Sequence, residues 1–365
     1  MSRVKKEKQL IGEDLLDITP EMKRFATPEI VARYRAERLA CDTIVDLCSG
    51  FGFQAFAFAQ TCKHVIAAEK DPDTVAASRK FAEKLGLKNV TFLCGDALSP
   101  AIIKKIQKAD VIFCDPQRAP AEKERALATI QPNIQELLAL YEKITPNIAL
   151  ELPPHISNTA FDAEYEYLSV DATLNRLTLY FGSLKQAEKS IVLLPENKKI
   201  TGSFQKKATP VFASFAALSS SQHYSFLLEP NPALVLSGLF YEALCAAADQ
   251  KKIEQSFVHK DIIQFVQEKK MYFLSTHHIS SPFFVCYKIL NSTSYAMSFD
   301  EKQKVKMLLQ EHDALHVILK YSLDPQAYWQ ERTFFEKGLS GSKTLYLFAF
   351  DQALICEKIS PPKTI

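Results

Sequence analysis

Residues 43–59, TIVDLCSGFGFQAFAFA, decide the fold. Ile44, Val45 and Leu47 form an uninterrupted apolar run of the kind found in strands buried on both faces. Gly50 and Gly52 then let the backbone turn sharply and approach a ligand without a Cβ in the way. The apolar helix predicted from Phe53 to Gln60 points its first N–H groups at whatever lies over the turn. Together these features make a nucleotide-binding βα turn. Gly50-x-Gly52-x-x-Ala55 also fits the alanine variant of the dinucleotide fingerprint, so a nicotinamide or flavin cofactor and S-adenosylmethionine (SAM) both remain open on the glycines alone.

A series of carboxylates separates these alternatives. Asp46 lies at the end of the first strand, before the glycines, placed to organise the turn and reach a ligand's ammonium group. Glu69 closes the second strand (HVIAAEK), Asp96 follows the third (VTFLCGDAL) and Asp115 ends the fourth (ADVIFCDPQR). Four acids at successive strand ends line the carboxyl edge of a parallel sheet, where open α/β folds bind ligands. A dinucleotide needs only the ribose acid; four suit a zwitterionic, positively charged cofactor better.

Over roughly residues 25–195 the sequence resembles the class I SAM-dependent methyltransferases. The resemblance implies that Asp46, Cys48, Gly50 and Gly52 form the first motif and contact the methionine end. It gives Glu69 to the ribose, and Asp96 with Ala97 to the adenine. Asp115-Pro116-Gln117-Arg118 falls beside the transferable methyl, which makes Asp115, Pro116 and Arg118 the expected catalytic residues. Cys48 replaces the first glycine of the usual D-x-G-x-G-x-G. The segments FATPEIVARYRAERL (25–39), D-P-x-R and FLLEPNPALVLSGL (226–239) narrow the resemblance to methyltransferases carrying a C-terminal THUMP-like domain, whose implied substrate is RNA. Gln54 stands where many relatives have an acid, and Ala119 where many have a second arginine.

The 365 residues, 47% hydrophobic and 24% charged, suffice for two cores. The expected order is a helical segment over 1–41, a Rossmann-like α/β methyltransferase domain over 42–197, a linker over 198–221 and an α+β THUMP-like domain over 222–365. Helices are predicted over 3–17 and 28–40, the latter capped by Thr27 with Pro28 at its first position. The loop at Thr27 is also placed to fold over the methionine end of the cofactor. Strands near 43–47, 64–69, 89–93, 109–114 and 146–151 alternate with helices near 53–61, 72–86, 100–107 and 132–143, the doubly wound pattern. LNRLTLYFG (174–182) fits strand and helix alike, and the sheet is expected to finish near 195. In the second domain, helices are predicted near 231–247, 259–269 and 300–313, with strands in MYFLSTHH, FFVCYKIL, HVILKYS and TLYLFAF.

Composition excludes several classes. No apolar stretch reaches the roughly 20 residues that span a bilayer, and MSRVKKEKQL lacks the apolar centre of a secretion signal, so a soluble cytoplasmic protein is expected. The eight cysteines show no zinc spacing, and no metal is expected; Cys94 and Cys114 read as buried hydrophobes of central strands. His277 and His278 are adjacent, a poor spacing for one ion if they share a strand. The formal charge is +2, and residues 220–365 carry 15 basic against 15 acidic side chains, so bulk charge does not advertise nucleic acid. KKITGSFQKKATP (198–210) is the exception, with Lys198, Lys199, Lys206 and Lys207 expected to track a phosphate backbone. Trp329, near the turn at Asp324-Pro325, reads as a packing residue, with base stacking as the alternative. A small-molecule or protein acceptor, and a non-catalytic SAM-binding module, remain the alternatives to an RNA methyltransferase.

Overall fold

The computed structural model describes residues 8–118, 127–156, 160–204, 211–212, 224–249, 262–267, 270–295 and 298–359, in two compact units divided after Phe204. The first unit is built on a nine-stranded sheet. Its parallel part comprises β1 (Thr43–Leu47), β2 (His64–Glu69), β3 (Val90–Cys94), β4 (Val111–Cys114) and, beyond the short pair β5 (Gln117–Arg118) and β6 (Ile130–Gln131), β7 (Ile148–Leu152). β8 (Glu164–Val170), β9 (Thr173–Tyr180), β10 (Lys189–Leu194) and β11 (Lys198–Gly202) complete it in the order β11-β10-β8-β9-β7-β4-β1-β2-β3. The sequence runs outward from β1 through β2 to β3 and then returns to β4 on the other side. β1 and β4 therefore flank the switch point at which open α/β sheets bind ligands.

The helices explain the sheet's burial. α1 (Pro20–Phe25) and α2 (Glu29–Arg38) precede β1; α3 (Phe53–Phe58), α4 (Pro72–Lys84), α5 (Pro100–Ile103) and α6 (Ile134–Tyr141) connect the strands. All six residues of α3 are buried; five are apolar and the sixth, Gln54, has its amide hydrogen-bonded. Asp71 caps α4 by accepting the Thr74 N–H at 2.8 Å, and Asn133 caps α6 through Glu136 N–H at 3.0 Å.

Several expectations are corrected. The helix predicted over 3–17 is reduced, among the described residues, to a 3-10 turn at Glu13–Leu15. It is preceded by Gly12 in the left-handed region and followed by α1, capped by Thr19. α2 starts one residue later than predicted. The Pro28 carbonyl accepts the N–H groups of Val31 and Ala32, so Pro28 is itself the cap and Thr27 makes no capping bond. LNRLTLYFG is a strand, antiparallel to both β7 and β8. The sheet does not finish near 195, because Lys198–Gly202 adds β11 antiparallel to β10 in place of the predicted linker. Cys94 is exposed, since β3 is an edge strand and not a central one, whereas Cys114 is fully buried.

The second unit has an eight-stranded mixed sheet made of β12 (Val211–Phe212), β13 (Phe226–Pro230), β14 (Ile262–Gln267), β15 (Lys270–Ser275), β16 (Phe284–Ser294), β17 (Ala314–Leu319), β18 (Lys343–Ala349) and β19 (Gln352–Lys358). Their order is β12-β14-β15-β13-β16-β19-β18-β17. The helix predicted near 231–247 is two, α7 (Pro232–Ser237) and α8 (Phe240–Asp249), because Gly238 adopts a left-handed φ of 74° and ends the first. The described part of the helix predicted near 259–269 is strand β14. It pairs with β15 along its whole length and with β12 at Gln264 and Phe265, so sheet neighbours on both sides override its helical pattern. α9 (Phe299–Glu311) matches its prediction, while α10 (Pro325–Glu336), which carries Trp329 at 57% exposure, has no counterpart among the predicted elements.

Candidate active site

The turn after β1 is fastened by the backbone and by the acid of the neighbouring strand. Ser49 N–H donates to Ala68 O at 3.1 Å, and Gly50 N–H to Glu69 Oε2 at 3.0 Å. Glu69 Oε1 accepts the N–H groups of Lys70 (2.8 Å) and Asp71 (3.2 Å), while Ser78 Oγ donates to Gly50 O at 3.0 Å. Cys48 (φ 58°), Gly50 (φ 51°) and Gly52 (φ 84°) all lie in the left-handed region, so Cys48 occupies a conformation that glycine takes without strain.

The two glycines differ in what surrounds them. A Cβ on Gly52 would lie 2.8 Å from the Phe56 ring, whereas a Cβ on Gly50 meets nothing of the protein within 4 Å. Gly52→Ala is therefore expected to destabilise the fold by about 2–4 kcal/mol through overpacking and backbone strain. Gly50→Ala should cost only about 1 kcal/mol, from its positive φ, yet weaken the binding of a ligand seated over the turn at least tenfold, because its methyl enters that open space. Thermal melts and titration calorimetry on both variants check this division.

Asp46 is 1% exposed, and its Oδ2 has no hydrogen-bond partner. Burial, reinforced by the charge of Asp115, pushes its carboxyl well above the ordinary range, with Arg35 opposing. An orphaned buried acidic oxygen next to the glycine turn fits a cationic ligand group, for which it would be the acceptor. Asp115 follows β4, and Leu47 pairs with Cys114 in register, so the acid sits beside the turn. Its carboxylate is 34% exposed and lies 4.0 Å from Arg176 Nη1. Pro116 is buried, and Gln117–Arg118 pairs with Ile130–Gln131. The Arg118 side chain and Ala119 lie outside the described residues. Asp96 is exposed and accepts Leu98 N–H at 2.7 Å; Ala97 is buried, its carbonyl accepting from Tyr141 OH at 2.8 Å. Thr27 is buried in the loop before α2.

Behind Asp115 runs a buried charge relay that the sequence reading missed. Gln54, in the first turn of α3, donates to Ala32 O at 3.2 Å and accepts from Arg35 Nη1 at 2.7 Å. The Arg35 guanidinium lies 4.6 Å over the Phe113 ring and pairs with Glu151, which pairs in turn with Arg176. Burial alone would lower the Arg176 pKa, but Glu151 and Asp115 outweigh it and hold it above its usual value. Lys8 belongs to the same neighbourhood: burial and then the charge of Arg176 bring its pKa down to about 8, and its Nζ donates to Lys23 O at 2.8 Å. One signal was present for Glu151. It lies in the fifth strand, NIALELPP, and extends the run of strand-end acids by one member.

Other candidates separate from the site. Lys199 turns inward, to Glu164 Oε1 at 3.2 Å and Glu166 Oε2 at 3.0 Å, which removes it from the expected phosphate track. Lys198 is exposed, and Lys206 and Lys207 lie outside the described residues. The Cys114 thiol is raised well above its usual pKa by its hydrogen bond with the Cys48 thiol and by burial, so it is no activated nucleophile. Among the described residues no group of His, Cys, Asp and Glu could hold a metal, and no helix is long and apolar enough to cross a membrane.

The switch-point turn, its strand-end acids and the sheet order form an open α/β ligand-binding arrangement. Residues 40–178 match the model of a family described as a methyltransferase domain. Two uncharacterised S-adenosylmethionine-dependent methyltransferases of Mycobacterium tuberculosis, from strains CDC 1551 and H37Rv, are each 25% identical over 173 residues. The match covers 46% of this chain and 46% of theirs, so it spans less than half the length of these curated relatives. A crystal structure of a candidate methyltransferase from Porphyromonas gingivalis W83 has the same fold, at TM-score 0.64 and 18% identity over 92% of this chain and 82% of that one.

Proposed function

We propose that the protein transfers the methyl group of SAM to a base nitrogen of RNA, tRNA or rRNA, with the second unit a THUMP-like domain that holds the substrate. The observation that carries the transfer reading is Asp115, a partly exposed carboxylate beside the glycine turn, backed by Arg176 and followed by buried Pro116. The RNA assignment is supported by the resemblance of the three segments at 25–39, 115–118 and 226–239.

SAM supplies an activated methyl group on a sulfonium when bound. The chain's task is then to align an acceptor with it and manage one proton. Asp46, Cys48, Gly50 and Gly52 receive the methionine end, with Thr27 in the preceding loop. Glu69 takes the ribose hydroxyls, and Asp96 with Ala97 the adenine. The Asp115 carboxylate and the Pro116 carbonyl are acceptors for the N–H groups of an amine or ring nitrogen, which they orient, and the Asp115 carboxylate takes the proton that the nitrogen loses on methylation. Pro116 has no N–H to compete and stiffens the turn. Arg118 is assigned to a phosphate or developing oxyanion of the acceptor.

The test is transfer of tritiated methyl from SAM to total RNA from cells lacking the protein, with Asp115→Ala as control. Label that enters RNA only with the intact protein supports the reading, and digestion then names the nucleoside. No label, with SAM binding demonstrated by calorimetry, points instead to a small-molecule or protein acceptor.

A further inference from the structure

We infer that Arg176 is the positioning residue for Asp115, orienting its carboxylate electrostatically from the end of a buried relay that begins at the helix of the cofactor turn. The inference rests on the methyltransferase reading above. Arg176 enters from β9, which runs antiparallel to β7 and starts at the carboxyl edge of the sheet. Its side chain is only 15% exposed, and its Nη1 faces both Glu151 Oε1 and Asp115 Oδ2. Glu151, 1% exposed, cannot swing away, because its other oxygen is held by Arg35. Arg35 is in turn locked by Gln54 and by the Phe113 ring.

This arrangement has two consequences. First, a solvated arginine would lose rotamer freedom in turning to Asp115, but here the guanidinium is already buried and paired with Glu151, so Asp115 faces a cation whose place is set by its neighbours. Second, Gln54 lies two residues beyond Gly52, so the relay joins the cofactor turn to the acceptor-side acid through side chains alone. Gln54 suits this role because its amide donates to Ala32 O and accepts from Arg35 at once. Arg176 itself touches no reacting atom in this scheme; it acts by holding Asp115.

Arg176→Lys tests the inference without stranding Glu151, since the charge is kept while the Nη1 position that faces both carboxylates is lost. The expected result is a fall in kcat of about tenfold or more for tritium transfer to total RNA, because small misplacement of a reacting group is costly. The KM and calorimetric Kd for SAM should stay within about threefold, and Arg176→Lys should add no further loss in the Asp115→Ala background. Wild-type kcat, or an additional loss in that background, overturns the inference. If the wild-type protein labels no RNA, the acceptor reading fails and the inference is decided by stability. Arg176→Lys, Asp115→Asn and the double variant are then compared in thermal melts. A double variant that loses less than the sum of the singles supports the contact; strict additivity overturns it.

Discussion

Asp115→Ala is expected to lower methyl transfer by about 10²–10³-fold while leaving SAM affinity within about threefold of the wild type. That magnitude is what a positioned acid–base group contributes. The expectation follows from where the side chain lies. The bonds that fasten the turn run through Ser49, Gly50, Glu69 and Ser78, and Asp115 takes no part in them, so its removal leaves them intact. Arg176 keeps Glu151 as a partner when Asp115 is lost, so the buried charges remain paired. Glu69→Ala should behave in the opposite way. It removes the acceptor of three backbone N–H groups around the turn, and SAM affinity should fall by at least tenfold. Single-turnover assays at saturating SAM, set beside calorimetric titrations, separate the two effects. Equal loss of cofactor binding in both variants would refute the division of roles.

Asp46→Asn is expected to make the SAM-free protein more stable at neutral pH and to weaken SAM binding by about 10- to 100-fold. Asp46 is buried with one oxygen unpaired, and its folded pKa lies well above the usual carboxylate range, owing first to burial and then to Asp115. Below the unfolded pKa both states carry the proton, and the side chain imposes no charge penalty. As pH rises past the unfolded value of about 3.9, the unfolded chain releases its proton first, and stability is lost until the folded pKa is passed. Asparagine, always neutral, avoids that loss. The gain in Tm should therefore be present at neutral pH and shrink toward the acid end, and melts of both proteins across that range check it. A bound ammonium or sulfonium favours the Asp46 carboxylate, so SAM binding should release a proton wherever Asp46 is still protonated. Calorimetry in two buffers of different ionisation heat should detect that release in the wild-type protein and not in the Asp46→Asn variant.

The placement of the strand-end acids and of the glycine turn was legible because these features are local. Each βα unit carries its strand, its turn and its strand-end acid in one short stretch of chain, and hydrogen bonding then forces neighbouring strands into register. Asp46, Glu69 and Asp115 could thus be read from spacing, as could the glycines between β1 and α3. Cys48 shows the limit of a signature. The sequence presents it as a missing glycine, and the structure shows a cysteine carrying the left-handed φ itself.

By itself, then, the sequence determined the α/β class, the parallel strands around the switch point and the acids at their ends, since all of these follow from short-range periodicity and turn chemistry. Only the tertiary structure decided which charges are buried and what holds them. Arg35 lies in a charged helix, 116 residues from its partner Glu151, and no local pattern distinguishes it from the exposed Arg33 two positions earlier. Lys199 looks like part of a surface cluster until Glu164 and Glu166 of β8 are found to draw it inward. Ion pairs of this kind form when packing removes water from groups distant in the chain. Their partners are set by the order of the strands, which a linear sequence does not display.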